Sequence, residues 1–124
     1  MEWQVVKVKN GSGKNVPFVS IGRGQLDFNA VACELVGDDG SYKYAQFLKG
    51  KEGRKTVIGV KFIKEYEDNA IPITRKTQKE RVIAGMTVRN KGIIEELFGK
   101  DGANDGMVRH NVELAGDNIL KVVD

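Results

Sequence analysis

The chain has 124 residues, 40% of them hydrophobic and 30% charged, with 20 basic against 17 acidic side chains and a net charge of +3. One domain of that length can remove roughly two-thirds of its unfolded surface from water, and the mixed charge excludes a disordered polyelectrolyte. The basic excess leans toward a polyanionic partner. The sole cysteine, Cys33, excludes an internal disulfide and sets a cytoplasmic location as the expectation.

The start, "MEWQVVKVKN", has no basic region followed by an apolar run, and no stretch approaches membrane-spanning length. Neither secretion nor membrane insertion is therefore expected. "WQVVKV" and "VPFVSI" flank Asn10-Gly11, a turn dipeptide that predicts a hairpin. Gly11-Ser12-Gly13-Lys14 in that turn looks like the end of a phosphate-binding P-loop. The pattern fails: Val8 stands where the first glycine belongs, Asn15 where the hydroxyl belongs, and a strand follows instead of a helix. No nucleotide is expected.

After "FVSIGRGQLDF", Asn29 is placed to cap a short helix over "AVACELVG", with Val31/Leu35 and Ala32/Val36 on its apolar face and Gly37 at its stop. "YKYAQFL" and "KTVIGVKFI" are strands around the turn "KGKEGR". Tyr42, Tyr44 and Phe47 in the first of them are expected to pack, with Tyr42 and Tyr44 on one face. The acidic stretch "KEYEDNA", 64–70, is a linker. The same order then returns. "IPITRK" and "RVIAGMTV" flank "TQKE", "KGIIEELFG" is a helix with Ile93/Leu97 and Ile94/Phe98 on one side, and "MVRHNVEL" and "NILKVV" flank "AGD".

The halves superpose in sequence at an offset that places Glu34-Leu35-Val36-Gly37 on Glu96-Leu97-Phe98-Gly99, Ile21 on Ile83, Leu26 on Val88 and Ile58 on Leu120. This predicts a duplication. One ββαββ unit is too small to close a core, so two must share one. The expected fold is mainly β with two short helices (α+β): tandem ββαββ repeats sharing one small barrel or sandwich. It is a single domain, 1–124, built of repeats 1–63 and 71–124 joined by linker 64–70.

Gly22-Arg23 before the helix, Leu35-Val36-Gly37 at its end and Leu97-Phe98-Gly99 in the second copy make the chain resemble the SpoVT/AbrB swapped-hairpin family, over almost its whole length. Two copies in one chain are similar to the arrangement in MraZ. The resemblance implies intertwined units, hence a monomeric pseudo-dimer or a homodimer, and duplex DNA as the partner of a bacterial or phage regulator. The chain departs from the family before the helices, where Ile-Pro is missing. Within them Cys33, Glu34, Glu95 and Glu96 replace basic residues. Acidic helices repel phosphates.

The expected phosphate contacts are Arg75, Lys76, Lys79, Arg81, Arg89 and Lys91, the densest cationic run, with Lys7, Lys9, Lys14 and Arg23 in the corresponding places of the first unit. Competing expectations are a protein-interaction module or inhibitor with its acidic helices toward a partner, and a single-stranded nucleic-acid binder. No metal or cofactor is expected, since one cysteine and one histidine (His110) cannot supply a zinc set. Cys33 in a small apolar helix is expected to pack, not to act as a nucleophile. The adjacent pairs Glu95-Glu96 and Asp38-Asp39 diverge, so no catalytic residues are assigned and no enzyme is expected.

Overall fold

The structure is a computed structural model and describes residues 2–4, 16–78, 81–103 and 106–123. The side chains of 76–78, 81–84 and 101 are outside the description, as is the expected hairpin turn at Asn10-Gly11. The fold is mainly β, with short helices and a closed barrel of eight strands. In chain order the elements are β1 (Phe18–Gly22), β2 (Gln25–Asn29), α1 (Ala30–Leu35), β3 (Tyr44–Glu52), β4 (Lys55–Ile63), β5 (Ala70–Gln78) and β6 (Arg81–Arg89). Then come α2 (Lys91–Phe98), the single turn α3 (Lys100–Ala103), β7 (Val108–Gly116) and β8 (Ile119–Val122).

The cyclic strand order is β1-β2-β6-β5-β3-β4-β8-β7, with β1 pairing β7 to close it. All pairs are antiparallel. Strands β1, β3, β6 and β8 therefore run one way and the other four run back. The β1–β2 and β3–β4 turns open at one end of the barrel, and the β5–β6 and β7–β8 connections at the other.

Period-two alternation builds the wall: in β1 and β2, Val19, Ile21, Leu26 and Phe28 point inward, while Gln25 and Asp27 face out. Phe28 meets Phe62 edge to face, centroids 5.2 Å apart, among Val60, Met86, Val88 and Leu120. A barrel this small is filled by side chains rather than left as a pore. β2 delivers α1 to one end and β6 delivers α2 to the other, where Ala32, Cys33 and Val36, and then Ile94, complete the core. Val31 is half-buried and Leu35 exposed, so α1 packs through the expected Ala32/Val36 pair together with Cys33, and not through the expected Val31/Leu35 pair.

Local signals explain the joints. The Asn29 side chain accepts from Ala32 N (2.9 Å) and Phe18 N (3.1 Å) and donates to Val16 O (2.8 Å), capping α1 while pinning the start of β1. Asn90 caps α2 by accepting from Ile93 N at 3.2 Å. The β1–β2 hairpin turns on Arg23-Gly24, both with positive φ (53° and 70°), the type I′ pattern that matches strand twist. This turn lies within "FVSIGRGQLDF", where no hairpin is expected from the sequence.

Tyr42 stacks obliquely on Phe62 and donates its hydroxyl to Val36 O at 3.2 Å, and Phe47 packs against the core. Tyr44 instead meets Tyr66 edge to face at 5.7 Å, so Tyr42 and Tyr44 do not share a face. Tyr42 precedes β3 and falls out of its alternation.

Candidate nucleic-acid interface

The expected cations separate into groups once the barrel closes. Lys7, Lys9, Lys14 and Lys79 lie outside the described residues. Lys76 and Arg81 belong to the part of the β5–β6 hairpin nearest its connection, at the end opposite the β1–β2 turn.

Arg75 has a different task. Its guanidinium donates to Asp38 at 2.6 and 3.0 Å and to Tyr42 O at 2.6 Å. The Asp38 side chain is fully buried and that of Arg75 is 22% exposed, so this cation is spent on an internal partner.

Arg23, Arg89 and Lys91 come together. Arg23 forms the exposed β1–β2 turn, and Gln25 just after it pairs in register with Arg89, the last residue of β6. Arg89 Nε donates to Gln25 Oε1 at 3.1 Å, and Gln25 donates in turn to Asp27, which also accepts from Thr87 Oγ1 at 2.7 Å. This outward ladder fixes the Arg89 side chain along the strand pair. Gly24 is pressed onto the start of α2: a Cβ there would stand 2.9 Å from Lys91 Cα, and Asn90 N donates to Gly24 O at 3.2 Å. Only glycine lets the turn and helix approach so closely. Gly24 N donates to Gly102 O at 2.8 Å, which brings α3 and its exposed Lys100 to the same end.

The β3–β4 turn opens at this end too. It carries Lys49, Lys51, Arg54 and Lys55, all exposed and none of them among the phosphate contacts expected from the sequence. Four cations within seven positions around Gly53 were the signal available.

Nothing else in the described part gathers chemistry. Among the described residues no group of His, Cys, Asp or Glu could hold a metal, and no helix is long and apolar enough to cross a membrane. Cys33 is buried in α1, its thiol pushed up to about 12, first by burial and then by the Asp38 charge. His110 sits in β7 opposite Val19. A shallow cavity of about 340 Å³ between Phe47, Ile71, Asn90 and Ile93 flanks the base of the β3–β4 hairpin. The chain matches no family model, no curated protein and no solved structure.

Proposed function

We propose that this protein binds duplex DNA through its phosphates, as a regulator of the swapped-hairpin type, with the Arg23 end of the barrel as the contact surface. The observation that carries this is the convergence of Arg23, Arg89 and Lys91 on one tight turn, reached from three separate elements. Cations so arranged contact phosphate oxygens and position a protein on the duplex without reading bases. Lys76 and Arg81, toward the opposite end, form no part of that surface.

The proposal includes a barrel made of two tandem ββαββ repeats. In its support, Leu26 pairs with Val88 and Gly59 with Lys121, each pair 62 residues apart, the separation of Gly37 and Gly99. Residues equivalent by duplication would meet in this way across a two-fold axis. The offset does not hold for every strand. Ile21 faces Leu26 as Ile73 faces Val88, so the counterpart of Ile21 is Ile73, not Ile83. Leu48 faces Gly59 as Glu113 faces Lys121, which puts the counterpart of Leu48 three residues beyond the offset.

The test is titration of a labelled random-sequence duplex with the protein and with the Arg23→Gln/Arg89→Gln/Lys91→Gln variant across a salt series. The variant is expected to bind more weakly on every sequence, with a log K against log salt slope shallower by about 3. Unchanged affinity and slope would remove this surface. A preference for single strands would favour the single-stranded alternative.

A further inference from the structure

The β3–β4 hairpin reaches beyond its neighbours. β3 pairs with β5 through Tyr44, Ala45 and Gln46, and β4 pairs with β8 through Gly59, Val60 and Lys61. Between Phe47 and Ile58 the two strands pair, among the described residues, only with each other, in unbroken register to Glu52↔Lys55. Six residues of extended strand make an arm about 20 Å long.

Its cations are arranged by strand alternation. Lys49 and Lys51 continue the row of Ala45 and Phe47 on one face. Glu52, the one acid of the arm, is on the other face. Lys121 of β8 holds it at 2.5 Å and also reaches Glu113 at 3.5 Å. The acid is thus paired from outside the arm, by a lysine it shares with Glu113, and the arm leans toward β8. Arg54 sits in the turn with Gly53 (φ 62°), and Gly50, Gly53 and Thr56 keep the tip thin.

We infer that the β3–β4 arm enters the major groove of duplex DNA as a two-stranded ribbon, with Lys49, Lys51, Arg54 and Lys55 contacting the phosphates that line it. The inference rests on the duplex-binding proposal and adds the element that enters the groove. A groove about 12 Å wide admits a β-ribbon. A slim, cationic tip that opens at the same end as Arg23, Arg89 and Lys91 lets the barrel end sit on the backbone while the arm goes in. The plainer role for these lysines is to keep the two edges of the arm from aggregating; that role predicts changed solubility and unchanged DNA affinity.

The experiment compares the full-length protein with the Lys49→Gln/Lys51→Gln/Arg54→Gln/Lys55→Gln variant on a short random duplex and on the same duplex carrying glucosylated hydroxymethylcytosine, which obstructs the major groove. The variant is expected to have a salt slope shallower by about 3 to 4, and the double variant Lys49→Gln/Lys51→Gln by about 2, which guards against a folding defect in the quadruple change. The unsubstituted protein should bind the glucosylated duplex at least about tenfold more weakly than the plain one, a difference that the quadruple variant loses. Wild-type affinity and slope in the arm variants would overturn the inference while leaving the Arg23 surface standing. Equal binding of plain and glucosylated duplex would overturn the groove insertion. A protein that binds neither duplex would overturn both this inference and the duplex-binding proposal.

Discussion

Arg75 in β5 grips Asp38, from the loop after α1, with two guanidinium donors at 2.6 and 3.0 Å, and the carboxylate it holds has no solvent exposure. The pair ties an element of the first half of the chain to one of the second. Arg75→Met would leave a buried carboxylate unpaired, and is expected to cost about 3 kcal/mol or more in urea denaturation. The double change Arg75→Met/Asp38→Leu should recover most of that loss, because it removes the stranded charge. A single substitution costing under about 1 kcal/mol would mean that water reaches the site.

Two helix stops offer a graded test. Gly37 and Gly99 have φ of 66° and 57°, and a Cβ at either would meet no atom within 4 Å, so alanine there reports backbone conformation alone. Gly99, with ψ −126°, lies outside even the left-handed helical region. Gly37→Ala is expected to lower stability by about 1 kcal/mol and Gly99→Ala by more. Equal, negligible effects would contradict these backbone angles.

The Cys33 thiol, raised from 9.0 to about 12, should resist thiol reagents at pH 8 in the folded protein and react at once in denaturant. The folded state keeps its proton where the unfolded state loses it, so stability is unaffected below about pH 9 and falls between about pH 9 and 12. The slope attributable to this group is at most about 1.4 kcal/mol per pH unit. Cys33→Ala should flatten the decline. Rapid labelling of the native protein would show that α1 opens readily.

The helices were legible because their signals are local: Asn29 and Asn90 as caps, Gly37 and Gly99 as stops. The β3–β4 and β7–β8 hairpins were legible from apolar runs around polar turns. The β1–β2 hairpin was not, since its strands are only five residues long and its turn is Arg-Gly, not the stronger Asn-Gly signal. The site was only partly legible. Charge density along the sequence groups Arg75 with Arg89 and Lys91, but barrel closure gives Arg75 to Asp38, 37 residues away in the chain. It also sends Lys76 and Arg81 toward the far end. No sequence-local rule shows which end of a barrel a turn will face.

Separating the halves tests the interleaving. Apart from the four hairpins, every neighbouring strand pair (β2–β6, β5–β3, β4–β8 and β7–β1) joins a strand before residue 64 to one after residue 69. Fragments 1–66 and 67–124 would each leave four strand edges open and half a core exposed. Each is expected to be unfolded or to self-associate alone, with native circular dichroism regained on mixing. A stable monomer from either fragment would contradict the shared core.

Amide hydrogen exchange of the full chain, with and without a short random-sequence duplex at low salt, locates the contact surface most directly. Slowed exchange at 23–25, at 89–92 and along 49–55, with the Asp117-Asn118 turn at the other end unchanged, is the predicted result. Protection centred on the β7–β8 turn, or no protection at any of the three predicted segments, would contradict the account.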